Sequence, residues 1–313
     1  MKKDVLSIFD LSSEDILSIL DLAIILKSQF KSEGSNPKLL RGHILGMIFQ
    51  KPSTRTRISF ESAMLHLGGH AINLSFNDLQ LSRGESIEDT ARTFSLYVNC
   101  IVARVYSHHD VEKLSTNSAV PVINGLSDLF HPCQILADIL TILEFKKSLK
   151  GVTLSFVGDG NNICNDLLLC CSKLGIDIRV CTPEVYPPLN SVIEFARKES
   201  RKNNSSVLLT DNPVDAVSDS DVVITDTFTS IGKENEKDKR ESVFLPRYQI
   251  NDELIKFAKK DYIFMHCLPA NRGKEVTSAI IDGPSSVVWH EAENRLHVQK
   301  ALLLKLLDNQ ISR

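Results

Sequence analysis

The chain has 313 residues, enough for about two domains with full hydrophobic cores. Its 36 lysines and arginines nearly balance 39 aspartates and glutamates, and the resulting net charge of −3 lacks the basic excess that marks nucleic-acid-binding proteins. With 42% apolar and 24% charged residues, the composition is that of a globular protein and excludes disorder and fibrous repeats.

The sequence also carries information about its compartment. No apolar run approaches the ~18 residues that a membrane helix needs, and the start, Met1 to Asp4, leads into a helical pattern without a secretory or transit segment. The 7 cysteines include no C-x-x-C pair and do not form a disulfide framework. We therefore expect a cytoplasmic protein in a reducing compartment, with neither a membrane nor a nucleic acid as its partner.

Helices and strands alternate in the first half of the chain. A capping box at Ser12 starts a helix that continues to about residue 33, and a second one starts at Ser86. We expect strands at 43–50, 70–75, 100–105 and 120–124, and further helices at 53–67, 86–97, 109–115 and 131–147. Strands that alternate with helices in units this long pair in parallel, so the pattern predicts the α/β class.

A second series of elements begins at Gly151. The apolar run 152–157 predicts a strand followed by a helix to Leu174. Further strands are expected near 176–181, 206–209, 221–225, 261–265 and 286–289, with a last helix from about Glu291 to Asn309. The boundary near residue 149 predicts a first domain of residues 1–148 and a second of residues 149–290.

In open α/β sheets, ligands bind beyond the carboxyl ends of the strands, so the residues after each strand are informative. Residues 51–57, Lys-Pro-Ser-Thr-Arg-Thr-Arg, follow one strand and open a helix. Hydroxyls, backbone N–H groups and two arginines at a helix N-terminus favour a phosphate, and a capped helix with solvated arginines is the alternative. Arg104 ends another strand and adds a cation at the same edge.

Residues 131–134, His-Pro-Cys-Gln, open the long helix with proline in its first turn. His131 and Gln134 share one helix face. The positive end of the helix favours the neutral form of His131, which suits a hydrogen-bond donor to a carbonyl oxygen. A histidine that merely caps the helix is the alternative.

Three segments in the second half carry polar residues that could bind a substrate or take part in catalysis. Residues 158–163, Gly-Asp-Gly-Asn-Asn-Ile, lack the third glycine of a dinucleotide fingerprint, so we expect no NAD, and Asn162 is a candidate for holding a substrate carboxylate. Asp226 ends a strand and suits a substrate ammonium. His266 and Cys267 point to opposite faces of an extended strand, which argues against covalent catalysis by a thiolate–imidazole pair.

Residues 53–57, 131–134 and 266–269, taken together and in this order, resemble the aspartate/ornithine carbamoyltransferase family over nearly the whole chain. The resemblance implies a carbamoyl-phosphate domain and an amino-acid domain, each a parallel sheet flanked by helices. It also implies that the C-terminal helix, about residues 291–313, returns to the first domain. The His-Cys-Leu-Pro element points to transfer of the carbamoyl group to the δ-amine of L-ornithine, giving L-citrulline and phosphate, with no metal or organic cofactor.

The resemblance also implies the roles of individual residues. It makes Arg104, His131, Asp226 and Cys267 the catalytic residues. The implied carbamoyl-phosphate ligands are Ser53, Thr54, Arg55, Thr56, Gln80, Arg104, His131, Gln134, Cys267, Leu268 and Arg295. The implied ornithine ligands are Asn162, Asp226, Ser230 and Ile231. Ile231 departs from the family, which commonly has methionine there.

Gln80 matches a loop residue that reaches a neighbouring subunit's site, so the resemblance implies a homotrimer with shared active sites. Two kinds of alternative function stay open. One is a carbamoyltransferase for another amine, such as aspartate, putrescine or an acylated ornithine. The other is a non-catalytic protein that binds carbamoyl phosphate and kept the fold.

Overall fold

The computed structural model describes residues 4–229 and 233–311. In these ranges the strands are β1 (Ile44–Phe49), β2 (His70–Ser75), β3 (Cys100–Arg104), β4 (Val122–Leu126), β5 (Thr153–Val157), β6 (Asp177–Cys181), β7 (Val207–Thr210), β8 (Val222–Thr225) and β9 (Ile263–His266). The helices are α1 (Ser13–Glu33), α2 (Thr54–His66), α3 (Ile87–Phe94), α4 (His108–Asn117), α5 (Pro132–Lys146), α6 (Asn162–Leu174), α7 (Asn190–Lys202), α8 (Pro213–Val217), α9 (Lys237–Phe244), α10 (Asp252–Ile255), α11 (Ser278–Ile281) and α12 (Val288–Ile311).

The chain folds into two compact units. Of the described residues, unit 1 contains 4–137 and 293–311, and unit 2 contains 138–229 and 233–292. Unit 1 holds a parallel sheet with strand order β2-β1-β3-β4, and unit 2 a parallel sheet with order β7-β6-β5-β8-β9. The predicted α/β class and the return of the last helix to the first unit are confirmed. The predicted boundary near residue 149 stays a prediction, since this division passes through α5.

Local sequence signals set the helix starts. The Ser12 hydroxyl accepts a hydrogen bond from the backbone of Asp15, whose carboxylate accepts one from Ser12, which makes the predicted capping box. The Ser86 hydroxyl accepts one from the backbone of Asp89. Gly34, with a φ of 70°, ends α1 in the left-handed conformation that favours glycine.

The strand predicted at residues 286–289 is wrong. Ser286 forms an isolated parallel bridge with Phe264, and α12 begins at Val288, before the predicted helix start at Glu291. Val287 and Val288 are nearly or fully buried. A short buried apolar run gives no periodicity that separates a strand from the first turn of a helix, which explains the error.

Fully buried strands form the cores of both units, including the edge strand β9. β3 is buried at every position, as are β8 and β9, because helices cover both faces of a parallel sheet. The carboxyl ends of β1, β3, β5, β8 and β9 carry the candidate site residues. Across residues 4–229 and 233–311, no helix is both long enough and apolar enough to span a membrane.

Candidate active site

The candidate site in unit 1 begins where α2 follows β1. Ser53 is the N-cap of α2, and its hydroxyl accepts a hydrogen bond from the backbone N–H of Thr56 over 3.3 Å. Arg104 is the last residue of β3, and His131 directly precedes α5. The predicted phosphate and carbonyl ligands therefore lie at strand ends and helix starts, where α/β sheets bind ligands.

Thr56 links two arginines. Its Oγ1 accepts a hydrogen bond from Arg104 Nη1 over 3.4 Å and another from Arg295 Nη2 over 2.9 Å. Arg295 Nη1 donates to Gln134 Oε1 over 3.0 Å. These four side chains are buried, so unit 1 holds two guanidinium groups in an environment that favours a bound anion.

His131 is held neutral in the same environment. Burial lowers the pKa of this imidazole well below its ordinary value, and the charges of Arg295, Arg104 and Arg55 lower it further. A neutral imidazole donates from one ring nitrogen and accepts at the other, as the sequence analysis predicted. Burial, rather than the helix N-terminus, is the leading cause of the lowered pKa of His131.

The other predicted ligands of unit 1 differ in their surroundings. Thr54 is exposed and Arg55 is half-buried in the first turn of α2. Gln80 is exposed and begins the short 3₁₀ helix Gln80–Arg83. Its position on the surface leaves its role in binding carbamoyl phosphate a prediction.

The candidate site in unit 2 is centred on Asp226, which follows β8. Asp226 Oδ2 accepts a hydrogen bond from Asn161 Nδ2 over 2.7 Å. Asp226 Oδ1 accepts from the backbone of Thr227 over 2.7 Å and from the Cys267 thiol over 3.1 Å. Because β5, β8 and β9 are neighbours in the sheet, the residues that follow them meet at one edge, where a carboxylate can bind an amine.

The surroundings of Cys267 favour the protonated form of its thiol. Burial raises its pKa well above the ordinary value, and the neighbouring Asp226 carboxylate raises it further. A thiol in this state is a poor nucleophile, since the thiolate is the reactive form. His266 and Cys267 do not lie on opposite faces of one strand, because β9 ends at His266 and their side-chain atoms lie within 4.8 Å of each other. The exclusion of covalent cysteine catalysis therefore stays a prediction.

The turn after β9 is held by a buried histidine. His266 Nδ1 accepts a hydrogen bond from the backbone N–H of Leu268 over 2.9 Å, so the ring proton lies on Nε2, which donates to Glu275 Oε1 over 3.2 Å. Leu268 has a φ of 56°, a conformation that costs a non-glycine residue free energy. The hydrogen bonds of His266 to Leu268 and Glu275 stabilise this conformation, and both His266 and Glu275 are fully buried.

Side-chain atoms of Asp226, His266 and Cys267 lie within 4.8 Å of one another, which is metal-ligand spacing. Both ring nitrogens of His266 already have hydrogen-bond partners, so it would bind a metal only by breaking one of these bonds. The chemistry of the cluster is therefore better suited to an amine at Asp226.

Two residues of unit 2 with contacts at the candidate site are not predicted from the sequence. Asn161 contacts Asp226 and is not among the predicted site residues, whereas the adjacent Asn162, which we predict to hold a substrate carboxylate, is buried in the first turn of α6. Arg240 forms a buried ion pair of 2.7 Å with Asp159, in the loop after β5. The N-cap position of Asn161 was a usable signal, while nothing in the sequence indicates the pairing of Arg240 with Asp159. The predicted ligands Ser230 and Ile231 lie outside the described residues.

Comparison with known proteins agrees with this geometry. Residues 3–144 match the family "Aspartate/ornithine carbamoyltransferase, carbamoyl-P binding domain", and residues 150–306 match "Aspartate/ornithine carbamoyltransferase, Asp/Orn binding domain". The chain is 54% identical to the ornithine carbamoyltransferase of Pyrococcus horikoshii, over 97% of this chain and 96% of that protein.

Solved structures give the same result. The ornithine carbamoyltransferase of Pyrococcus furiosus has a TM-score of 0.92 and 53% identity, over 96% of each chain. The anabolic ornithine carbamoyltransferase of Campylobacter jejuni has a TM-score of 0.91 and 43% identity, over 99% of this chain and 100% of that one. The chain belongs to the aspartate/ornithine carbamoyltransferase family.

Proposed function

We propose that the chain is an ornithine carbamoyltransferase, which transfers the carbamoyl group of carbamoyl phosphate to the δ-amine of L-ornithine. The observation that carries the proposal is the buried set around Thr56, in which two arginines and a neutral histidine supply donors for an anion and a carbonyl oxygen. Relatives at 50% identity and above carry the name ornithine carbamoyltransferase, which supports ornithine as the acceptor.

Unit 1 contributes the carbamoyl-phosphate ligands in this proposal. The start of α2 binds the phosphate, since backbone N–H groups and hydroxyls at a helix N-terminus stabilise negative charge. Gln134 orients the carbamoyl amide. The hydrogen bond from Arg295 to Gln134 Oε1 holds the side chain in position for this role. The full proposed set in unit 1 is Ser53, Thr54, Arg55, Thr56, Gln80, Arg104, His131, Gln134 and Arg295.

Unit 2 contributes the ornithine ligands and two groups for the carbamoyl amide. Asp226 binds an ammonium group of ornithine and Asn162 its carboxylate, with Ser230 and Ile231 as further ligands. Cys267 lies beside the reacting amine, as its hydrogen bond to Asp226 supports. The backbone carbonyls of Cys267 and Leu268 accept from the carbamoyl amide.

The reaction follows from these groups. The neutral δ-amine attacks the carbamoyl carbon, and the new C–N bond places negative charge on the carbonyl oxygen. Arg104, His131 and Thr56 donate hydrogen bonds to this oxyanion. The C–O bond to phosphate then breaks, phosphate leaves with the electron pair, and the leaving phosphate takes the proton that the amine nitrogen loses. No step requires a metal or an organic cofactor.

We further propose a cytoplasmic homotrimer in which Gln80 completes a neighbour's site. Large apolar side chains exposed on unit 1 support an interface there, namely Ile58 and Leu65 on α2 and Ile72 on the edge strand β2. Mixing two inactive variants, Gln80→Ala and Arg104→Ala, after dissociation and reassembly tests this arrangement. Shared sites restore activity in the mixture, whereas sites within one subunit leave it inactive.

A panel of acceptors tests the proposed activity. Purified protein is incubated with carbamoyl phosphate and, in parallel, L-ornithine, putrescine, L-aspartate or N-acetylornithine, and both the carbamoylated product and phosphate are quantified. We expect product from L-ornithine alone. Turnover with a different amine would overturn the assignment of Asn162 and Asp226, and binding of carbamoyl phosphate without any product would indicate a non-catalytic protein.

A further inference from the structure

An unassigned asparagine contacts the carboxylate that we place against ornithine. We propose that Asn161 is a positioning residue, which fixes the Asp226 carboxylate in the orientation that binds the substrate's ammonium group. The inference rests on the proposed function, because it takes Asp226 as the partner of ornithine.

The Asn161 side chain uses both ends of its amide. Its Oδ1 accepts hydrogen bonds from the backbone N–H groups of Ile163 over 3.1 Å and Cys164 over 3.2 Å, and so caps α6. Its Nδ2 donates to Asp226 Oδ2 over 2.7 Å. Backbone N–H groups only donate and an ionised carboxylate only accepts, so these partners fix the orientation of the amide.

The hydrogen bonds of Asp226 divide between its two oxygens. Thr227 and Cys267 both donate to Oδ1. Asn161 donates the hydrogen bond that Oδ2 accepts within the part of the chain that the structure describes. The last side-chain torsion of aspartate is broad, so a carboxylate without this bond samples other orientations. Thr227 and Cys267 therefore restrain Oδ1, and Asn161 restrains Oδ2 and the direction of its lone pairs.

The loop that carries Asn161 is itself held in place. The backbone N–H of Gly160 donates to the carbonyl of Tyr186 over 3.0 Å, and a Cβ at this position would come within 2.2 Å of the Pro187 backbone. Asp159, one residue earlier, is buried in its ion pair with Arg240. This packing presents the Asn161 amide to Asp226 in one position before substrate binds.

Two substitutions separate positioning from helix capping. Asn161→Ser and Asn161→Asp both keep a side-chain oxygen that caps a helix, but neither keeps the Nδ2 donor. Hydrogen bonds to charged groups contribute enough for a loss of about 10- to 100-fold, so we expect the KM for ornithine to rise by that factor. The KM for carbamoyl phosphate should stay within about 2-fold.

The two variants should also differ in their pH dependence. In Asn161→Asp, the new carboxyl group can form a hydrogen bond with Asp226 only when the two groups share a proton. The KM of this variant for ornithine, divided by the KM of the unmodified protein, should therefore fall as the pH is lowered. The same ratio for Asn161→Ser should not change with pH. A role limited to the helix cap predicts neither the change in KM nor this difference.

Asn251→Ser is the matched control. Asn251 caps α10 with the same pattern, since its Oδ1 accepts from the backbone of Glu253 and Leu254, and it has no described contact with Asp226. The KM of Asn251→Ser for ornithine should equal that of the unmodified protein. If both Asn161 variants form citrulline with an unchanged KM for ornithine, the positioning role is overturned but the proposed function is not. Unmodified protein that makes no citrulline would contradict the proposed function as well.

Discussion

Arg295 donates a 2.9 Å hydrogen bond from Nη2 to Thr56 Oγ1, although 239 positions separate the two residues in the sequence. The same guanidinium donates from Nη1 to Gln134. The last helix therefore supplies unit 1 with a group that positions two candidate ligands at once. The planar guanidinium group of arginine has donors on two nitrogens and can bind both side chains at once. The ammonium group of lysine cannot reproduce this geometry.

Substitution of Arg295 by lysine tests this relationship. Arg295→Lys keeps the charge but cannot hold Thr56 and Gln134 together, so we expect kcat/KM for carbamoyl phosphate to fall about 10- to 100-fold. Steady-state kinetics at saturating ornithine measures the effect. Arg92→Lys is the control, since Arg92 is exposed and pairs with Asp89 at the surface. Equal kinetics in the two variants would remove Arg295 from the site.

Arg104 should stabilise the transition state. Loss of a single donor to an oxyanion costs roughly 3–4 kcal/mol in comparable sites, so Arg104→Ala should lower kcat at least ~100-fold. The measurement is turnover at saturating concentrations of both substrates, with Arg92→Ala as the control for loss of a surface arginine. Near-normal turnover of Arg104→Ala would exclude the proposed oxyanion role.

The pH dependence of the rate should follow the substrate amine. Because burial lowers the pKa of His131 well below its ordinary value, this imidazole stays neutral throughout the neutral and mildly alkaline range. The δ-amine of ornithine is mostly protonated there, so kcat/KM for ornithine should rise up to tenfold per pH unit. A profile that is flat from neutral to mildly alkaline pH would contradict attack by the neutral amine.

A buried lysine in unit 1 should link stability to pH. Burial lowers the pKa of Lys300 from 10.5 to about 8, and Lys38 contributes repulsion. Its Nζ donates to Asn36 over 2.7 Å and lies 4.4 Å from the centre of the Phe30 ring. Between the folded and unfolded pKa values the unfolded chain binds more protons, so the contribution of Lys300 to the free energy of unfolding rises with pH.

Lys300→Met isolates this contribution. The stability of the variant relative to the unmodified protein should be highest below pH 8 and should decline as the pH approaches 10.5. Denaturant unfolding of both proteins at several pH values gives the difference, in which titrating groups that do not interact with Lys300 cancel, and above pH 7 the neighbouring His66 and His297, whose pKa values are lowered, contribute little. A difference that does not change between pH 7 and pH 10 would show that Lys300 keeps an ordinary pKa.

The sequence carried enough information to predict the α/β class, most strands and the helix caps, because these depend on local periodicity and on residues such as Ser12 and Ser86. Candidate ligands could be located because strand ends are recognisable. The pairing of Arg295 with Thr56 could not be predicted, since it depends on tertiary packing across 239 positions. The hydrogen bond from Asn161 to Asp226 likewise depends on how the loop after β5 packs beside the end of β8, although the N-cap position of Asn161 can be identified in the sequence.

The transfer itself can be measured directly. Carbamoyl phosphate labelled with ¹³C at the carbamoyl carbon is incubated with L-ornithine and the purified protein, and the reaction is followed by ¹³C and ³¹P NMR. The proposed function predicts that labelled ureido carbon of citrulline and inorganic phosphate appear in a 1:1 ratio, as expected for direct transfer. Phosphate release without labelled citrulline would contradict it.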